Sequence, residues 1–173
     1  MSQGITTRSL LVLRHAEAGH DYTGDDHGRA LTARGSEQAR SVGNWLVETG
    51  FLPEATSTSD ALRTRQTCVW VNAQLGEKAP TPYIDSRLYL ASEDELLSAV
   101  HETPEAVSAL LVVAHMPGVQ SLSMALAGMD SAESPVLEMA RHWPTCGIAR
   151  FEIDGTWSEL QAKGARLTHF HCA

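Results

Sequence analysis

The chain has 173 residues, of which 43% are hydrophobic, and carries a formal net charge of -8 at neutral pH, which suits one domain with a sizeable core over residues 1–173. The acidic balance and an aromatic content of 6% argue against nucleic acid as a partner, because affinity for a phosphate backbone requires clustered Lys and Arg. The apolar runs are far shorter than the ~20 residues of a membrane-spanning helix, so no membrane partner is expected.

The first half of the chain alternates strand and helix patterns. Residues 9–13 (SLLVL) form a short apolar run that is typical of a buried strand, and the polar residues 17–30 follow it as a loop. Thr32 is placed to open a helix that runs to about Thr49, where Gly50 ends it.

Three further elements follow in the middle of the chain. A second strand is predicted at residues 55–58, and Ser59 after it is a candidate N-cap for a helix over residues 60–75. Ser92 and Glu95 spell a capping box, S-x-x-E, which predicts the start of another helix.

The remaining elements complete an α/β pattern. Residues 109–114 (ALLVVA) are the clearest strand in the chain, and a helix is predicted over residues 119–127. Late strands are predicted at residues 147–153 and 157–161, on either side of an Asp154-Gly155 turn, and at residues 166–170. The alternation predicts a three-layer α/β/α sandwich whose sheet is mostly parallel with an antiparallel strand.

The chain contains no sign of export or of disulfide bonding. Residues 1–7 lack the basic and apolar regions of a signal peptide. Cys68, Cys146 and Cys172 are odd in number, widely spaced and without a CxxC pair, which argues against both a disulfide framework and a zinc site. We therefore expect a cytoplasmic protein with free thiols.

Two histidines directly follow the two most apolar strands. The run at residues 9–13 leads into Arg14-His15, and the run at residues 109–114 leads into His115. Ligands of open α/β sheets bind at the carboxyl ends of the strands, so the two imidazoles are placed to face one pocket. A single histidine at a sheet edge is more often structural than catalytic, but the repeated placement favours a shared site.

Two arginines complete the candidate group. Arg14 precedes His15, and Arg63 lies near the start of the second helix, where free backbone N–H groups also favour an anion. A neutral imidazole is a competent nucleophile toward phosphorus, and guanidinium groups can hold the non-bridging oxygens. The set Arg14, His15, Arg63 and His115 therefore indicates phosphoryl transfer that needs neither a metal nor another cofactor.

Five motifs lie in chain order between residues 13 and 118. Residues 13–17 read LRHAE, residues 29–35 read RALTARG, and residues 59–67 read SDALRTRQT. Residues 87–92 read RLYLAS, and residues 114–118 read AHMPG. In the same order they resemble the motifs Arg-His-Gly, R-x-L-T-x-R-G, S-x-A-x-R-x-x-Q-T, R-L-Y-x-A-S and G-H-N-P-G of the phosphoglycerate mutase-like histidine phosphatase superfamily, and of its small SixA-type phosphohistidine phosphatase branch. Five motifs at compatible spacing are far more specific than a lone Arg-His pair.

The resemblance implies a phosphoglycerate mutase-like fold and a covalent mechanism. His15 would be the nucleophile that becomes a transient phosphohistidine, while Arg14, Arg63 and His115 would bind the transferring phosphoryl group. Water would then hydrolyse the intermediate. The chain departs from the motifs at Ala16, Ala114 and Met116, and the loss of an asparagine at Met116 bears on substrate preference because it removes a polar group from the pocket rim.

The resemblance also draws attention to a missing general acid. Larger members carry a glutamate shortly after an Arg-Leu pair, whereas this chain has Arg87-Leu88-Tyr89-Leu90, and the nearest carboxylates fit a helix N-terminus: Glu93, Asp94 and Glu95. Imidazole, whose conjugate acid has a pKa near ~6.5, leaves with much less help than an alkoxide does. A phosphohistidine substrate therefore suits a site without a dedicated acid, and His115 is left open as a proton donor.

These residues favour a phosphatase that acts on phosphohistidine in a partner protein, such as a phosphorelay or phosphotransfer domain. Two alternatives stay open: a phosphatase for a small phosphorylated metabolite, and a phosphohistidine-binding module without turnover. No metal is expected, because two other polar clusters follow no metal-ligand spacing. They are the tail His169-x-His171-Cys172 and the loop residues Glu17, His20, Asp21, Asp25, Asp26 and His27.

Overall fold

The computed structural model describes residues 7–173. The prediction that residues 1–7 are not a signal peptide therefore falls almost wholly outside the described residues. Within the described part, six strands form one sheet. They are β1 (Thr7–Arg14), β2 (Ala55–Thr58), β3 (Tyr83–Ile84), β4 (Ala109–Ala114), β5 (Ile148–Asp154) and β6 (Arg166–His171). Their order across the sheet is β3-β2-β4-β1-β5-β6.

One strand runs against the direction of the others. Strands β3, β2, β4 and β1 pair in parallel, β5 is antiparallel to β1, and β6 is antiparallel to β5. β6 therefore points the same way as β1, which confirms the predicted mixture of a mostly parallel sheet with an antiparallel strand.

Helices cover both faces of the sheet. Helices α1 (Ala33–Thr49) and α2 (Leu62–Leu75) lie on one face, and α3 (Glu93–His101), α4 (Gly118–Leu126) and α5 (Glu133–Arg141) lie on the other. Alternate residues of β1 supply the two cores, because successive side chains of a strand point to opposite faces. Leu11 and Leu13 pack with α1 and α2, whereas Leu10 and Val12 pack with α3, α4 and α5. These are the three predicted layers.

The helix-end signals in the sequence are confirmed. The Thr32 hydroxyl accepts a hydrogen bond from the Gly35 N–H at 3.0 Å, and Gly50 ends α1 in the left-handed conformation with φ 74°. At the start of α3, Ser92 and Glu95 form the reciprocal capping box. The acidic residues there stabilise a helix end, as the sequence suggested.

Two local predictions are wrong. Ser59 does not cap α2, which begins at Leu62 after Ala61, because the Ser59 hydroxyl is engaged by His115 and Thr64 instead. Residues 157–161 form turns and not a strand, because Trp157 is buried and its indole N–H donates to the Val107 carbonyl at 2.8 Å. The partner of β5 is β6. The structure also adds the two-residue β3 and the helix α5, neither of which was predicted.

No helix within residues 7–173 is both long and apolar enough to cross a membrane.

A close backbone approach fixes the loop that follows β1. The first turn of α1 contains Gly35, and a Cβ atom at this position would fall well inside van der Waals contact of the Glu17 carbonyl oxygen. Glu17 is two residues beyond His15 in the chain. The motif glycine therefore lets α1 pack directly against the loop that carries the candidate nucleophile.

We predict that Gly35→Ala destabilises the protein by about 1–3 kcal/mol, because the clash outweighs the better helix propensity of alanine. The measurement is urea unfolding followed by circular dichroism. Ser41→Ala, at an exposed position of the same helix, is the control and should change the free energy of unfolding by less than about 0.5 kcal/mol. A Gly35→Ala protein as stable as the control would contradict the close packing.

Candidate active site

The parallel pairing of β1 and β4 brings the two predicted histidines together. Arg14 lies opposite Ala114 in the strand register, and the His15 N–H donates to the Ala114 carbonyl at 3.1 Å. The imidazoles of His15 and His115 lie just beyond this pair, with ring centroids 5.3 Å apart. Both rings are almost wholly buried. The edge of the sheet therefore holds two adjacent imidazoles in one place.

His15 is held as a neutral imidazole, and among residues 7–173 its Nε2 has no hydrogen-bond partner. Its Nδ1 lies 2.7 Å from the Ala16 carbonyl oxygen, and since a carbonyl can only accept, Nδ1 carries the proton and donates. Burial lowers the pKa of His15 to about 4, and the positive charges of Arg63 and Arg14 act in the same direction. At neutral pH the lone pair on Nε2 is therefore available for attack on an electrophile.

His115 is oriented from both sides. Arg63 can only donate, so Nη2 donates to His115 Nδ1 at 3.2 Å, and His115 Nε2–H donates to the Ser59 hydroxyl at 2.7 Å. Ser59 in turn donates to Thr64 at 2.8 Å, whose hydroxyl donates to backbone carbonyls. Burial and the charge of Arg63 lower the pKa of His115 to about 3. His115 is neutral at physiological pH and fixes the position of the Arg63 guanidinium.

The two predicted arginines are partly committed to backbone carbonyls. Arg14 Nη1 donates to the Trp143 carbonyl at 2.7 Å, and Arg63 Nη1 donates to the Asp26 carbonyl at 2.7 Å. Each also has a buried Nε for which residues 7–173 supply no hydrogen-bond partner. A guanidinium has five N–H donors, so both arginines keep donors beyond these contacts that suit an oxyanion.

Two residues at this site were not predicted from the sequence. Asp26 Oδ2 accepts from Arg63 Nη2 at 3.1 Å and from the Tyr89 hydroxyl, and its Oδ1 accepts from Arg29 Nε at 2.9 Å. The Tyr89 ring packs edge-on against His115 at a centroid distance of 5.5 Å. Their positions next to the motifs were the available signal, since Asp26 lies three residues before the RALTARG motif and Tyr89 lies within RLYLAS.

The other candidate residues are engaged elsewhere. Within residues 7–173 no group of three or more His, Cys, Asp or Glu side chains could hold a metal ion. In the loop, Asp25 accepts from the Gly28 N–H, and His27 pairs with Asp60 at 2.9 Å. In the tail, His171 stacks on Trp45 with a centroid distance of 4.9 Å and an interplanar angle of 3°.

Comparison with known proteins places this arrangement in a family. Residues 10–89 match the histidine phosphatase superfamily (branch 1). An uncharacterized protein of Mycobacterium tuberculosis is 32% identical over 160 residues, which cover 92% of this chain and 98% of that protein.

Solved structures extend the likeness over 95% of the chain. The SixA protein from Nakamurella multipartitia is 31% identical, with a TM-score of 0.80 over 95% of each chain. The protein histidine phosphatase SixA in complex with tungstate shares the fold, at 21% identity and a TM-score of 0.75 over 95% of this chain and 96% of that one. The architecture is phosphoglycerate mutase-like. The chain belongs to the histidine phosphatase superfamily and to its SixA-type branch, as the five motifs predicted.

We predict that both buried histidines titrate far below the ordinary imidazole pKa of ~6.5. Nitrogen-15 NMR of the imidazole rings should give midpoints near 4 for His15 and near 3 for His115, with the proton of neutral His15 on Nδ1. His15→Gln and His115→Gln variants assign the signals. In urea both midpoints should return to about 6.5 because the burial is lost. A folded-state midpoint near 6.5 for His15 would contradict its buried neutral state.

Proposed function

We propose that this chain is a single-domain cytoplasmic phosphatase that hydrolyses phosphohistidine in a partner protein, through a covalent intermediate on His15. The observation that carries the proposal is the free Nε2 lone pair of a neutral His15 beside Arg63 and His115. A neutral imidazole, two guanidinium groups and a second imidazole provide a nucleophile and an oxyanion site without further components.

In the first step, His15 Nε2 attacks phosphorus and the bond to the leaving group breaks. Arg14 and Arg63 supply guanidinium N–H donors to the non-bridging oxygens. His115 contributes to this step through Arg63, because His115 Nδ1 accepts a hydrogen bond from Arg63 Nη2. Direct contact between His115 and the phosphoryl group stays a prediction.

In the second step, water attacks phosphorus and His15 leaves. The hydrogen bond from Nδ1–H to the Ala16 carbonyl keeps a proton on the far nitrogen of the ring. His15 therefore departs as neutral imidazole and not as imidazolate, so the same contact that exposes the nucleophile also makes it a good leaving group.

The choice of phosphohistidine over a phosphate ester rests on the carboxylates near the site. Asp26 contacts Arg63, but the hydrogen bond from Tyr89, with Arg63 and Arg29, lowers the pKa of Asp26 to about 2. Asp26 is therefore ionised at neutral pH and has no proton to donate. The capping box occupies Glu95, and Glu93 and Asp94 are exposed in the first turn of α3. An alkoxide leaving group requires an acid that these residues do not supply, whereas imidazole does not.

We predict that His15→Ala lowers kcat/KM for a histidine-phosphorylated protein at least about 10³-fold, because no nucleophile replaces the imidazole. The measurement is phosphate release at neutral pH. His142→Ala, which removes an exposed histidine outside the site, is the control and should leave the rate unchanged. Full turnover by His15→Ala would exclude the covalent mechanism.

A substrate panel separates the proposal from its rivals. The specificity constant for phosphohistidine protein should exceed those for sugar phosphates and nucleotides by at least about 10²-fold, since ionised Asp26 offers no proton to an alkoxide. A larger constant for an ester would favour a small-molecule phosphatase. A labelled phosphoryl group that is transferred to His15 and is never released as phosphate would favour a phosphohistidine-binding module.

A further inference from the structure

The mouth of the active site carries a carboxylate that phosphate binding does not explain. The side chain of Asp26 is 49% exposed, whereas that of Arg63 beneath it is 2% exposed. A negative charge beside a phosphate-binding arginine weakens the attraction for an anion. A carboxylate at this position therefore either has a purely structural role or binds a ligand of opposite charge.

In-line displacement places the leaving group at this mouth. The nucleophile must lie opposite the leaving group across phosphorus, and His15 is at the buried floor. A leaving group opposite the buried His15 is directed toward solvent, and Asp26 and Tyr89 are the more exposed of the residues that contact Arg63 and His115. Tyr89 is edge-on to His115, and its hydroxyl donates to Asp26, which fixes the carboxylate at this mouth.

Asp26 has spare capacity to accept a hydrogen bond. Among the described residues, Oδ1 accepts one hydrogen bond, from Arg29 Nε, while Oδ2 accepts from Arg63 and Tyr89. An ionised carboxylate offers about four lone-pair positions. One position on the half-exposed carboxylate is therefore open to a donor on the substrate.

We propose that Asp26, held by Tyr89, is the subsite for the leaving imidazole of the substrate and accepts the N–H of its far ring nitrogen. This assignment rests on the proposed function, because it takes the substrate to be phosphohistidine. The carboxylate stabilises the protonated, cationic phosphoimidazole ring. When the phosphorus–nitrogen bond breaks, its electron pair stays on the near nitrogen, the proton stays on the far nitrogen, and neutral imidazole leaves. His15 Nε2 simultaneously forms the new bond to phosphorus, so no proton has to be delivered.

The subsite discriminates by charge. An imidazolium ring brings a positive charge and an N–H donor to Asp26, whereas an ester develops negative charge on the departing oxygen at the same place. An ionised carboxylate therefore stabilises an imidazolium leaving group and disfavours the departing oxygen of an ester. Asp26 is ionised and cannot act as a general acid, and an imidazole leaving group does not need a general acid.

The charged and titratable groups around Asp26 bear on the pH dependence. Arg63 faces it from α2, Arg29 from its own loop and Tyr89 from the segment before α3. His115 is close enough for its pKa to respond to Asp26, and His27 packs against Tyr89. The arginines and Tyr89 keep Asp26 ionised throughout the neutral range, so the group that titrates in the complex is the substrate ring.

The test compares two substrates whose leaving groups both depart without an acid. The first is a peptide phosphorylated on histidine with phosphoramidate, and the second is p-nitrophenyl phosphate, whose leaving group has no N–H. With Asp26→Asn, kcat/KM for the peptide should fall about 10-fold or more at pH 8, and its alkaline limb should move to lower pH by about one unit, because the ring proton is held less tightly. The constant for p-nitrophenyl phosphate should not fall and should rise by up to about 3-fold, because the carboxylate opposes the negative charge on its departing oxygen.

Three further variants make the result specific. Asp25→Asn, one residue earlier and bonded only within the loop, is the matched control and should leave both constants unchanged. Asp26→Glu, which keeps the charge, should restore part of the peptide activity. Tyr89→Phe frees a lone pair on Asp26, so it should keep the alkaline limb at the wild-type pH or move it higher, opposite to Asp26→Asn.

Two outcomes would overturn the subsite, and they differ from failure of the proposed function. Equal losses on both substrates with an unmoved alkaline limb would mean that Asp26 only positions Arg63. A Tyr89→Phe limb that moves to lower pH would contradict the role of the carboxylate. If the wild-type protein released no phosphate from the peptide yet hydrolysed p-nitrophenyl phosphate, the phosphohistidine substrate itself would be wrong.

Discussion

The parallel pairing of β1 with β4 is the constraint on which the site depends. The register sets Arg14 opposite Ala114, so each strand ends at the same level and delivers its next residue, His15 or His115, to one edge. Two imidazoles from distant parts of the chain are thereby fixed 5.3 Å apart between their centroids by backbone hydrogen bonds. The two cores beneath them, one on each face of the sheet, make that edge rigid.

Burial of this pair determines its chemistry. Because desolvation lowers both pKa values far below 6.5, the rings are neutral at physiological pH and their hydrogen bonds decide which nitrogen is free. The Ala16 carbonyl selects Nε2 of His15 for attack, while Ser59 and Arg63 hold both nitrogens of His115. Each imidazole therefore has a different task, although the strands present them in the same way.

The sequence predicted the layers of the fold and the four-residue group well, because strands β1 and β4 are apolar runs that end in histidine and because the motifs lie at strand–helix junctions. The sequence did not predict which contacts the polar side chains make. Ser59 looked like a helix cap but accepts from His115, and Asp26 looked like part of a solvated loop but contacts Arg63. Periodicity reports which face of an element is buried, and neither a cap nor a loop residue carries such a pattern. The strand prediction for residues 157–161 was wrong for a related reason, since a buried Trp157 is equally compatible with a strand and with a packed turn.

The most direct test of this account is the chemical identity of the covalent intermediate. The protein is mixed with a histidine-phosphorylated protein labelled with phosphorus-32, quenched in alkali within milliseconds, and its phosphohistidine isomers are separated. The geometry predicts transient label on Nε2 of His15, because Nδ1 is committed to the Ala16 carbonyl. Label on Nδ1 of His15, label on any other residue, or turnover with no labelled intermediate at any time would contradict it.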